Sequence, residues 1–234
     1  MIKRPGFTLI ELLIAVLIFG YMSLSMATIY STANRHMFQN YRNNMIKSNV
    51  ALAMRDIRRN LSQATRIDLP LYNNPTGSEL KFAINVDQTT GCYPINQYAP
   101  VTWHYFCTAP DPGDPTFTDL FHYTGTVATD TTWCGSAPDK FWDPLTQYAV
   151  PACGAGGGTI IMQYSVPADA PNSSVMFSRR PAAPDNVYEA DSVLVTLRSR
   201  WVATARFGGV AKASQRDVDF TLSSKVKLLT PPAP

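Results

Sequence analysis

Between Pro5 and Pro70 the chain has no proline, after Gly6 that stretch has no glycine except Gly20, and no cysteine occurs before Cys92. Nothing there obliges a helix to stop, because the two residues that most disfavour a helix interior are nearly absent. Charge is scarce as well, at 16% of residues against roughly 25% in typical soluble domains. With 45% hydrophobic residues the chain is nevertheless no disordered polymer. CxxC, G-x-S-x-G, P-loop and H-E-x-x-H patterns are all missing, and the three histidines are scattered, so no enzyme and no zinc centre is expected. A net charge of only +3 excludes a strongly basic nucleic-acid binder.

The charge that is present falls into zones. Residues 1–30 carry Lys3, Arg4 and Glu11; residues 31–66 carry Arg35, Arg42, Lys47, Arg55, Arg58, Arg59 and Arg66 against Asp56 alone. Residues 67–190 are net acidic and residues 191–234 net basic. An apolar start, a basic stretch and an acidic, proline-rich body suggest a stalk with a separate head.

Met1 to Gly6 form a short basic leader, and from Phe7 to Tyr30 the only charge is Glu11. A run of that length spans the ~30 Å hydrocarbon core of a bilayer as a helix. A cleaved secretory signal, a permanent anchor and a helix that leaves the membrane to pack against copies of itself all fit the length. Glu11 separates them. A carboxylate five residues into the run costs on the order of 2.5–3.5 kcal/mol in a plain membrane helix, so it needs a partner. A cut after Gly6 would put a new α-amine on Phe7, about one helical turn from Glu11, and a neighbouring subunit's amine could reach it too.

The run Gly6-Phe7-Thr8-Leu9-Ile10-Glu11-Leu12-Leu13-Ile14-Ala15 closely resembles the class III signal of type IV prepilins and secretion pseudopilins. The resemblance implies that a prepilin peptidase cuts after Gly6, that Phe7 becomes the N-methylated amino terminus, and that Glu11 neutralises the amine of an adjacent subunit during assembly. Lys3 and Arg4 would hold the leader on the cytoplasmic side by the positive-inside rule, leaving everything after Tyr30 in the periplasm. The implied fold is α+β, a pilin-like lollipop whose long N-terminal helix packs its C-terminal half on an antiparallel β-sheet head. The expected divisions are a leader at 1–6, a transmembrane and assembly half-helix at 7–30, an amphipathic half-helix at 31–66, a β-rich head at 67–230 and a tail at 231–234.

Residue patterning supports the outline. Val50, Met54, Ile57, Leu61 and Ala64 recur at 4-3-4-3 spacing, an amphipathic stripe off which Arg55, Arg58 and Arg59 lie, so a helix from Phe7 to about Arg66 is expected. The seven basic residues of this stretch read first as a solvated helix face, with salt bridges to acidic heads or anionic lipid as the functional alternative. Gly20 is a weak candidate for local unwinding. Strands are expected at Leu80 to Val86, Val101 to Cys107, Phe117 to Tyr123, Thr159 to Val166 and Ser174 to Ser178, with Gly154 to Gly158 as a flexible connection. Ser192 to Ala205 and Arg216 to Leu229 read as a closing antiparallel pair.

In an oxidising periplasm Cys92, Cys107, Cys134 and Cys153 should form disulfides, and the smaller loops favour Cys92–Cys107 with Cys134–Cys153. Other sites are less persuasive. His104, Cys107 and Cys92 match no zinc spacing, and a strand puts His104 and Cys107 on opposite faces. Asp111, Asp114 and Asp119 lack the spacing and closing glutamate of a calcium loop and read as a solvated turn. Trp103, His104, Tyr105 and Phe106 could stack on single-stranded nucleic acid, but alternation would bury half of them in an acidic head. No cofactor and no nucleic acid is expected.

Two short pieces, Met54 to Ala64 and Asp219 to Leu229, resemble the W-class minor pilins and the related J-class pseudopilins, although a closing arginine-asparagine is missing after Leu229. The expectation is a minor type IV pilin that sits first in the inner membrane and then in the pilus. It would serve a tip or priming complex and support assembly, adhesion and twitching motility. Its partners would be major and minor pilins, the prepilin peptidase, the inner-membrane assembly platform and a tip adhesin. A secretion pseudopilin and a DNA-uptake pilin are the competing readings.

Overall fold

The computed structural model describes residues 8–71, 73–111, 114–127, 134, 140–148, 152–165, 176–180, 192–201 and 218–228. One helix, α1 (Leu9–Leu61, 53 residues), runs unbroken through Gly20. At 1.5 Å per residue it is about 80 Å long. Only its C-terminal part is buried: Ile46, Val50, Ala53, Met54, Ile57 and Leu61 turn inward. Arg55, Arg58 and Arg59 remain exposed. The stripe expected from sequence is thus the packing face.

α1 ends five residues before Arg66. Gln63 N–H donates to Asn60 O and Ala64 N–H to Leu61 O, both at 3.1 Å, tightening the final turn, and Thr65 N–H then donates to Ala83 O at 3.0 Å. The sheet captures the backbone before another helical turn can form. Ala64 stays on the buried side, and Arg66 opens the first strand instead of closing the helix.

The head is a single antiparallel sheet of β1 (Arg66–Leu69), β2 (Thr76–Gly77), β3 (Leu80–Ile84), β4 (Val101–Asp111), β5 (Asp114–Val127), β6 (Thr159–Ser165), β7 (Phe177–Arg180), β8 (Ser192–Trp201) and β9 (Val218–Lys227). The order is β1-β3-β4-β5-β6-β8-β7-β2, with β9 on β8. The closing pair forms in register from Ser192↔Lys227 to Trp201↔Val218. The strand expected at Ser174 to Ser178 lies instead at Phe177–Arg180, and residues 174–175 fall outside the described residues. Together, helix and sheet make the α+β lollipop.

Both sheet faces are covered, which is why the strands read as more apolar than simple alternation requires. Phe82, Phe106, Leu120, Met162, Val195 and Leu197 pack on the α1 side. On the other side Ala83, Trp103, Tyr105, Cys107, Phe121 and Tyr123 pack with Tyr93, Trp142 and Tyr148 from the loops. The glycine-rich connection belongs to this layer and is no free tether. Tyr123 Oη accepts from Gly154 N–H and donates to Ala155 O, each at 2.9 Å. A Cβ on Gly158 would stand 2.5 Å from the Tyr123 ring, so only glycine lets the chain pass there.

The disulfides staple the same layer, with a pairing other than the one loop size favours: Cys92–Cys134 and Cys107–Cys153. Register explains the correction. Ile84 pairs with Thr102 at the loop end of the β3–β4 hairpin, and Leu80 with Phe106 at the other end. Cys92 belongs to the loop end, whereas Cys107 lies five residues up β4, roughly 17 Å away at strand rise, far beyond disulfide reach.

Candidate assembly segment and its anchorage in the head

α1 presents an apolar cylinder that the head leaves uncovered. Leu9, Ile10, Leu12, Leu13, Ile14, Val16, Leu17, Ile18 and Phe19 are all half or more exposed, as are the large apolar residues through Tyr30. This part of the helix is long and apolar enough to cross a membrane, and none of that window is buried by the rest of the molecule. Surface of this extent is stable only against lipid or other apolar helices.

At its tip Glu11 has a local partner that the sequence reading passed over. Thr8 N–H and Thr8 Oγ1 donate to Glu11 Oε2 at 3.0 and 2.9 Å, and Glu11 N–H donates back to Thr8 Oγ1 at 3.4 Å. This is a capping box, legible as Thr8-x-x-Glu11. It places the carboxylate at the positive end of the helix dipole, in the first turn after the expected cleavage site. Gly6 and Phe7 lie outside the described residues.

Two polar clusters fasten the stalk to the head. In the first, Asp56 Oδ2 on α1 lies 3.2 Å from His122 Nδ1 on β5, close but off the line of a hydrogen bond. His122 Nε2 in turn is 2.9 Å from His104 Nδ1 on β4. Neutral tautomers with protons on His122 Nδ1 and His104 Nδ1 let His122 Nε2 accept from His104 and turn the His122 Nδ1–H toward Asp56. The rings stack with Phe82 and Phe106. Burial, and next the neighbouring His122, lower His104 to about 4; burial also lowers His122, opposed by Asp56.

The second cluster lies where α1 hands over to the sheet. Arg66 Nε donates to Asp68 Oδ1 at 2.9 Å, while Trp142 Nε1 and Tyr148 Oη donate to Asp68 Oδ2 at 2.8 and 2.7 Å. Burial, with the Asp68 charge, pushes the Tyr148 hydroxyl well above its ordinary value. Arg66 is therefore no part of a solvated helix face. Arg42 departs from that reading too, its guanidinium standing 4.0 Å over the Trp201 ring.

The remaining sequence candidates are absorbed by the fold. His104 and Cys107 face opposite sides of β4. Asp111 and Asp119 are buried, not solvated, and the Asp114 side chain is outside the described residues. Among the described residues no group of three or more His, Cys, Asp or Glu side chains is arranged to hold a metal. Trp103, His104, Tyr105 and Phe106 are all buried, so none offers an open stacking face.

A family model described as the prokaryotic N-terminal methylation motif matches residues 1–27. No curated protein and no solved structure matches the chain. The match covers the leader and most of the exposed apolar helix, the segment singled out by geometry, and identifies a prepilin-type signal there. Such a signal is read by a prepilin peptidase and belongs to chains that are anchored in a membrane before assembling with other pilins.

Proposed function

We propose that the chain is a minor subunit of a type IV pilus, cut after Gly6, N-methylated on Phe7 and carried in small numbers in a tip or priming complex. The observation that supports this most directly is the methylation motif at the head of an apolar helix that the molecule itself leaves bare. A membrane holds that surface first, and the helical core of the fibre holds it afterwards. Leu9, Ile10, Leu12, Leu13, Val16, Leu17 and Ile18 exchange lipid for helix packing, and Glu11 exchanges its Thr8 cap for the amine of a neighbour. With its leader removed the chain keeps 228 of its 234 residues. That size, and a head with a second stapled loop layer, suits a subunit used sparingly at one end better than one repeated along a shaft. The head would face the periplasm and then the exterior, both compatible with two disulfides.

Intact-mass analysis and amino-terminal sequencing of sheared surface fibres test the reading. N-methyl-Phe7 at low stoichiometry against the most abundant pilin is expected. A dominant signal would make this the shaft subunit, and an intact Met1 confined to membranes would reduce it to an ordinary anchored domain. Deletion should abolish piliation and twitching; loss of exoprotein release with piliation intact would place it in a secretion pseudopilus.

A further inference from the structure

A groove of about 620 Å³ runs between the C-terminal part of α1 and β9. Its floor is Ala51, Met54, Leu222 and Val226, and its cations are Arg55, Arg58, Arg59, Lys225 and Lys227. Among the described residues no acidic side chain lines it. The nearest helix carboxylate, Asp56, is turned to the sheet and engaged by His122 and Asn60. Among the described residues none of the five cations has a side-chain hydrogen bond, ion pair or ring contact. Five like charges left uncompensated around one groove repel one another, a standing cost that an anionic occupant removes.

Among the described residues the groove also meets an unpaired sheet edge. β9 pairs with β8 along its whole length, no β8 residue lines the groove, and among the described residues no strand lies on the other side of β9. A free edge offers its backbone to an added strand, and lysines ordinarily guard such an edge. Here Lys225 and Lys227 make it selective instead, admitting a strand that brings carboxylates and rejecting others. The apolar floor between the cations calls for a segment that alternates acidic and apolar side chains.

We infer that this groove docks an extended acidic segment of a neighbouring protein subunit, laid along the free edge of β9 between the α1 arginines and Lys225 and Lys227. A membrane surface fits less well: Arg55 is 25 residues beyond Tyr30, which puts the groove ~38 Å along the helix from the end of the apolar segment. The identity of the partner as a fibre subunit rests on the pilus reading; the charge and strand chemistry of the groove does not.

The test is carbodiimide treatment of intact cells producing the full chain, which joins an amine to a carboxylate only where the two are in contact. An amide between Lys225 or Lys227 and an Asp or Glu of another polypeptide is expected. The Lys225→Arg/Lys227→Arg variant should lose that cross-link but keep its charge and its place in fibres. Lys225→Glu/Lys227→Glu, and separately Arg58→Glu, should lower the fraction recovered in sheared fibres by about tenfold or more with membrane levels and both disulfides unchanged. A cross-link found in membranes when the chain never reaches fibres would overturn the pilus reading and support the groove. Cross-links confined to the chain itself, or none, overturn the inference, as does unchanged incorporation of the reversed variants. So does lysine-dependent binding of short duplex DNA or phosphatidylglycerol vesicles without any protein cross-link.

Discussion

Arg66 and Asp68, two residues apart at the start of β1, form an ion pair with Nε–Oδ1 at 2.9 Å and both side chains 2% exposed. Trp142 and Tyr148 satisfy the other carboxylate oxygen, so the buried charge is hydrogen-bonded on both sides. It therefore couples the end of the stalk to loops some seventy to eighty residues further on.

Removing one partner should cost far more than the pair is worth. Asp68→Asn removes the carboxylate charge that faces the buried Arg66 guanidinium and replaces one acceptor oxygen of the cluster by an amide, and a loss of about 3–5 kcal/mol is expected. Tyr148→Phe removes one hydrogen bond and should cost about 1–2 kcal/mol. Thermal unfolding of the full chain in detergent measures both, and an Asp68→Asn head as stable as the parent would show that the Asp68 charge does not hold this junction together.

Acid should loosen the junction of helix and sheet. His104 is held at about 4, below the ordinary 6.5, and His122 is lowered as well. Between those values the unfolded chain binds protons that the folded head excludes, so this contribution is complete above about pH 6.5 and is lost as pH falls toward 4. Allowing for partial solvent screening, the expected loss is on the order of 1–2 kcal/mol. His104→Phe keeps an aromatic ring between Phe82 and His122 and should flatten the profile in that window. An unchanged slope in a melting-temperature series from pH 7 to 4 would assign the acid response to other groups.

Each disulfide should matter separately. Cys92–Cys134 and Cys107–Cys153 close loops of 42 and 46 residues, each stabilising the head by about 4 kcal/mol in the chain-entropy model. Cys107→Ala/Cys153→Ala should free the connection that Tyr123 grips, exposing the Gly154 to Gly158 segment to protease while leaving the α1 side of the sheet packed. Equal protease resistance with and without the bond would mean that Tyr123 holds the segment alone.

What could be read beforehand and what could not divides along sequence distance. The α1 stripe at Val50, Met54, Ile57 and Leu61 is local periodicity, and β8 with β9 is local alternation, so both are legible. Asp56 meeting His122, Asp68 meeting Tyr148, and the arginines of α1 meeting Lys225 and Lys227 depend on register across the sheet, which no short window encodes. The disulfide pairing failed for the same reason: loop size is a property of the chain, whereas bonding distance is a property of the β3–β4 hairpin. Asp111 and Asp119 look like surface-turn residues by composition and are buried by the length of β4 and β5.

The capping box sharpens the role assigned to Glu11. Its carboxylate is needed twice on the pilus reading, first to cap α1 through Thr8 and then to meet a neighbour's amine in the fibre. Thr8→Val removes the hydroxyl contacts and keeps the carboxylate, weakening the helix start by about 1 kcal/mol. Glu11→Ala removes both functions. If the second is the decisive one, Thr8→Val should enter fibres at near-parental levels while Glu11→Ala inserts in the membrane but is missing from sheared fibres. Equal defects in the two variants, quantified by mass spectrometry of fibre and membrane fractions, would reduce Glu11 to a helix cap. Normal fibre incorporation of Glu11→Ala would remove it from assembly altogether.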